Sequence, residues 1–129
     1  MILIFVYILL KKKPLSVFKK FQTLHIGDLK LSSITVAELY FGAYNSQFVE
    51  KNLNIVDNFL ILFDIVNFYE KSAIEYAKIK NFLKKKGNII GELYMQIASI
   101  AFLNNYTLVT NNEREFIRIN NLKIENWVN

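Results

Sequence analysis

Leu29-Lys30-Leu31-Ser32-Ser33-Ile34-Thr35-Val36-Ala37-Glu38-Leu39 is the stretch on which the fold turns. Leu29–Leu31 reads as a short strand behind a turn at Gly27-Asp28. Ser32-Ser33 and Thr35 can cap a helix that runs through Ala37, Leu39 and Phe41 to Gly42, because their hydroxyls accept from the free N–H groups of a first turn. The same passage from strand to helix recurs along the chain. Ile65-Val66 is strand-like and precedes Glu70–Lys86, the clearest helix, with Ala73, Tyr76-Ala77 and Leu83 on one side and Gly87 closing it. Thr107–Thr110 is a β-branched run of the kind buried strands use, and Ile124–Val128 suits a final strand. Val49–Phe63 reads as a further helix. Leu93–Leu103 is apolar nearly all round, which predicts a helix packed between other elements. Pro14 with Leu15-Ser16 suits a helix start, followed by the apolar stripe Val17, Phe18 and Phe21. Short strands alternating with helices predict an α/β fold with a central, mainly parallel sheet flanked by helices.

The 129 residues suffice for one packed core, so a single domain over 1–129 is expected. Hydrophobic residues make up 53%, with 11 Phe and 7 Tyr, which excludes a disordered chain. The absence of cysteine removes any disulfide framework, thiolate metal site or thiol nucleophile, in keeping with a reducing compartment. The net charge of +5 gathers in Lys11–Lys13, Lys19–Lys20 and Lys84–Lys86. These clusters are either solvated faces or a phosphate-attracting surface whose binding would weaken with salt. Ile2–Leu10 is apolar but far shorter than the roughly 20 residues a membrane helix needs. Its lysines follow the apolar run, whereas a secretory signal carries its charge first, so a buried element is expected and no membrane association.

No His pair, Ser-His-Asp set or phosphate-binding glycine loop is present, and the lone His25 reads as a surface or turn residue. Carboxylates and amides remain, and hard cations such as Mg²⁺ take oxygen ligands of this kind. In a parallel sheet, sites gather at the carboxyl ends of the strands, which singles out Glu38 and the Asn111–Glu115 stretch. Glu38 follows Ile34-Thr35-Val36-Ala37, and a carboxylate amid apolar residues needs a partner.

Four segments carry a more specific likeness. Ser32–Leu39 with Gly42 resembles the "SSIT-x-AEL…G" segment of VapC-type PIN-domain toxins. Leu108–Phe116 is similar to their "LVTNN-x-REF", Leu122–Trp127 to their "LKLENW", and Ile90-Gly91 through Ile97-Ala98-Ser99 to a further block. The likeness covers nearly the whole chain after Pro14, in order. It implies a PIN-like fold and a cytoplasmic Mg²⁺- or Mn²⁺-dependent endoribonuclease in which an acid cluster holds the metal and a metal-bound water attacks the scissile phosphate. Glu38 and Glu115 match metal-binding, catalytic carboxylates of that cluster, and Asn112 matches the polar position beside them. Lysines near the site would hold the RNA backbone. A homodimer silenced by a cognate antitoxin is implied as well.

The chain departs from the pattern twice. Tyr94 stands where the family has an aspartate, and a neutral phenol is a poor substitute for a carboxylate at a hard cation. Glu92 is near in sequence, but two residues back on a helix it faces elsewhere. Gln96 stands where the family has an apolar core residue, and an unpaired amide there would destabilise. The family's opening strand ends in Asp-Thr-Asn; here the chain opens Met1-Ile2-Leu3-Ile4-Phe5, so the first acid is absent and the first strand is expected to be truncated. Met followed by Ile is encoded ATG-AT, which one frame over contains GAT, an aspartate codon. A frame shift near the Lys11–Lys13 codons is therefore expected, and the DNA across codons 1 to 13 tests it.

Three readings follow within the family. The chain is a toxin-type ribonuclease with impaired activity, a catalytically inactive PIN-like module that binds antitoxin or dimerises, or a remnant destabilised because the neighbours of its first strand are left with open edges.

Overall fold

A computed structural model describes residues 2–4, 28–110 and 112–127 of the chain. Its strands are β1 (Ile2–Ile4), β2 (Leu29–Ser32), β3 (Asp64–Val66), β4 (Thr107–Val109) and β5 (Ile124–Glu125). They form one sheet in the order β3-β2-β1-β4-β5, every neighbouring pair parallel. The helices are α1 (Ser33–Tyr44), α2 (Val49–Leu60), α3 (Glu70–Lys85), α4 (Glu92–Leu103) and the single turn α5 (Glu113–Phe116). The helix expected over Pro14, Val17, Phe18 and Phe21 lies outside the described residues, as do Lys11–Lys13, Lys19–Lys20, His25, Gly27, Asn111 and Val128.

β1 lies in the middle of the sheet, and the truncation expected of the first strand falls outside the described residues. β1 pairs Ile2 with both Leu29 and Thr107, Leu3 with Lys30 and Leu108, and Ile4 with Val109. The edges of β2 and β4 expected to lie open are therefore paired along these residues. On β2, Leu29 and Leu31 are buried, while Lys30 between them bridges to its register neighbour Asp64 on β3 at 2.9 Å. The alternation follows from the two-residue period of a strand.

The main core lies where α3 and α4 meet β4 and α5. Ile79 and Leu83 from α3, Met95, Ile97, Ala98, Ile100 and Ala101 from α4, Leu108 and Phe116 fill it. The apolar-all-round expectation for α4 holds for its middle and fails at its ends, where Leu93 and Phe102 are exposed. Gln96 is half-buried rather than a core residue, and its amide is not a buried group without a partner; among the described residues only the Ser72 hydroxyl is. The helix expected to reach Phe63 stops at Leu60, after which a short turn leads into β3.

Gly87 ends α3 as expected, with φ +64. Its N–H donates to the Lys84 carbonyl at 3.0 Å and the Asn88 N–H to the Leu83 carbonyl at 2.9 Å, the paired bonds of a left-handed helix cap. A Cβ there meets no neighbour, so the penalty of a substitution is conformational alone. Gly87→Ala is expected to cost about 1 kcal/mol, read as a lower urea midpoint at unchanged slope.

Candidate active site

The parallel sheet brings the carboxyl ends of β2, β3, β4 and β5 to one edge, and α1 and α5 both start from it. Ser32 makes the first of these turns. Buried at the end of β2, its Oγ accepts from the Thr35 N–H at 2.9 Å and shares a hydrogen bond of 2.9 Å with Thr35 Oγ1. Ser33 Oγ accepts from the Phe68 N–H at 3.0 Å, which ties the start of α1 to the loop after β3. Of the three capping candidates, Ser32 is the cap.

Glu38 lies on α1, one helical turn beyond Ile34, which packs against the main core. It is half-buried, and desolvation raises its carboxyl above the usual glutamate range. The folded state thus holds this proton more tightly than the unfolded chain does. Its ionisation costs the fold stability as pH rises from below the unfolded value through the raised folded one. Glu38→Gln is accordingly expected to stabilise the domain slightly at pH 7, solvent screening keeping the effect small. The gain should disappear below the ordinary glutamate range, and urea midpoints at pH 3 and pH 7 check it.

The second turn follows β4. Thr110 is fully buried; its N–H donates to the Glu125 carbonyl at 3.0 Å and its Oγ1 accepts from the Asn112 N–H at 2.9 Å. Asn112 precedes α5 with no side-chain cap bond, so its amide is not committed to the helix. Glu115 is half-buried on α5, next to the fully buried Phe116. Asn126 donates to Glu113 at 3.3 Å and so ties the chain after β5 to the same turn. Thr110 is a positioning residue that reading the acids alone overlooks, although it stands inside the Leu108–Phe116 segment.

Tyr94 occupies the first turn of α4. Its ring lies edge-on to Phe116, centroids 5.4 Å apart, and a Cβ on Gly91 would come within 3.1 Å of it. Glu92 is engaged elsewhere. Tyr76 donates to one of its carboxylate oxygens and Lys80 to the other at 2.8 Å. The Lys80 ammonium holds the Glu92 carboxyl below the usual range. Glu92 therefore joins α4 to α3, and the expectation that it faces away is met.

These donors fit a divalent cation poorly. Among the described residues no group of three His, Cys, Asp or Glu side chains is placed to hold a metal. Glu38 on α1 and Glu115 on α5 carry carboxylates, while residue 94 on α4 carries an aromatic ring packed on Phe116. Mg²⁺ can work with one or two carboxylates, but only with octahedral oxygen ligands around it, and a phenol is a weaker ligand for it than a carboxylate.

Residues 4–122 match the PIN domain. The chain belongs to the PIN-domain family and, within it, to the VapC type of toxin–antitoxin ribonucleases. It is 40% identical over 125 residues to Ribonuclease VapC2 of Haemophilus influenzae, covering 97% of this chain and 93% of that protein. It is 35% identical over 118 residues to the tRNA(fMet)-specific endonuclease VapC of Shigella flexneri, covering 92% and 89%. Among solved structures, VapBC2 from Rickettsia felis bound to a promoter DNA fragment superimposes with a TM-score of 0.89 at 36% identity, over 98% of this chain and 99% of that one. VapBC-1 from nontypeable Haemophilus influenzae does so with a TM-score of 0.90 at 30% identity, over the full length of both. The PIN-like α/β fold expected from the sequence is the observed one.

Proposed function

We propose that this chain is the toxin-side member of a toxin–antitoxin pair, acting in the cytoplasm with RNA as its substrate class, and that its Mg²⁺- or Mn²⁺-dependent cleavage of RNA is impaired. Its relatives' ribonuclease names and the VapBC assemblies among its structural neighbours support the class. Glu38 and Glu115 are the carboxylates left to meet a metal, with Asn112 as their polar companion. The impairment rests on one observation, the Tyr94 ring packed on Phe116 at the place of a family aspartate. No helix among the described residues is long and apolar enough to cross a membrane. The test is RNA cleavage by the purified chain with either metal, beside a Tyr94→Asp variant with the family's Asp-Thr-Asn opening restored.

A second reading, an inactive module that binds a cognate antitoxin or pairs with its own copy, is favoured by the outer end of α1. Phe41 and Tyr44 there are 68% and 65% exposed, and Phe48 at the start of α2 is 62% exposed, apolar surface of the kind that marks an interaction site. Co-expression with the product of the adjacent gene, followed by size-exclusion chromatography, tests this reading. A chain that elutes alone as a monomer would sink it.

A further inference from the structure

Between α3 and α4 lies a groove of about 430 Å³ with an apolar lining of Ile79, Phe82, Leu83, Phe102 and Ile119 and a polar edge of Asn120 and the paired Glu75 and Lys78. None of Glu38, Tyr94, Asn112 or Glu115 lines it. Phe82 and Phe102 are each 38% exposed, so two aromatic rings stand partly open to solvent in one concavity. At its lip the Lys86 ammonium sits 4.6 Å from the centroid of the Phe82 ring. Lys84 and Lys85 adjoin it, all three are exposed, and none is ion-paired among the described residues. Lys78 on another part of the rim is already matched by Glu75 at 3.5 Å. The helix dipole accounts for basic residues in the last turn of α3. It does not account for an open aromatic groove beside them.

We propose that this groove holds unpaired bases of single-stranded RNA while Lys84, Lys85 and Lys86 contact the adjoining phosphates. Flat apolar rings beside uncompensated positive charge suit a polyanion that carries flat apolar faces. A duplex keeps those faces stacked inside and offers the rings nothing. A volume of about 430 Å³ admits a nucleobase. The proposal rests on the reading of the chain as an RNA-acting protein, but concerns a surface separate from its acids. It gives the lysine cluster a role in holding RNA whether or not the chain cuts it.

Fluorescence anisotropy of a labelled single-stranded RNA 12-mer with the full chain in EDTA tests it. Phe82→Ala and Phe82→Leu should each weaken binding about fivefold or more and leave the salt dependence unchanged, since stacking is lost and no charge is removed. Lys84→Ala/Lys85→Ala/Lys86→Ala should weaken binding about tenfold and flatten the slope of log K against log salt by about 2, at roughly 0.7 per phosphate contact. Thermal melts of all variants establish that they are folded; the altered side chains are exposed or partly so. RNA binding that none of these changes affects would overturn the groove and leave the RNA reading standing. Loss with the lysines but not with Phe82 would also overturn it, in favour of charge alone. If Phe82→Ala instead abolishes binding of an acidic amphipathic peptide and spares RNA, the groove belongs to a protein partner. A chain that binds no RNA at all would remove the underlying reading as well.

Discussion

RNA incubated with this chain and Mg²⁺ or Mn²⁺ is expected to stay intact under conditions in which a Tyr94→Asp variant that also carries the family's Asp-Thr-Asn opening cleaves it. The position is decisive because α4 brings residue 94 against Phe116, the neighbour of Glu115 on α5. A phenol offers a hard cation little, whereas an aspartate adds a carboxylate with two oxygens. Loss of one such electrostatic group lowers rates by about 100-fold or more. The variant carries a second signature. Without metal, Tyr94→Asp places a carboxylate against the Phe116 ring and should melt lower than the unmodified chain. Added Mn²⁺ should return part of that loss, because a ligand that binds only the folded state stabilises it. Robust cleavage by the unmodified chain, or a variant indifferent to Mn²⁺, would contradict this account.

Phe116→Ala is expected to remove a large share of the domain's stability. The side chain is fully buried, belongs to the main core and carries the Tyr94 ring on its edge. Deleting a buried Phe costs about 3–5 kcal/mol, as lost transfer energy plus the cavity left behind. That is a large share of the roughly 5–15 kcal/mol typical of a domain. The urea midpoint should fall by about 2 M at an ordinary slope. Phe116→Leu, which keeps most of the volume, should cost much less. A shift of under about 0.5 M for the alanine variant would show that the surroundings collapse onto the gap, and that Tyr94 does not depend on Phe116.

Much of this was legible before any coordinates. The turn from Leu31 into Ser32 and Ser33 announces a strand running into a capped helix, because a hydroxyl at that place satisfies the free N–H groups of the first turn. Gly87 announces the end of α3, because an L side chain resists the left-handed conformation it adopts. Helix ends were less legible where no such residue marks them. α2 stops three residues before Phe63, where only the turn into β3 decides the matter. The apolar surface of α4 likewise did not reveal that Leu93 and Phe102 reach solvent, since that depends on what α3 covers.

For the site, the amino-acid sequence by itself determined which residue types stand in each motif, including the tyrosine at position 94, and the order of strands and helices. Those are local matters of side-chain chemistry, capping and periodicity. Only the tertiary structure decided that a three-residue β1 occupies the middle of the sheet, that Lys80 and Tyr76 engage Glu92, and that Tyr94 lies on Phe116. Each of these joins residues distant in the chain, and such pairings follow from how whole elements bury their apolar faces against one another rather than from any local pattern.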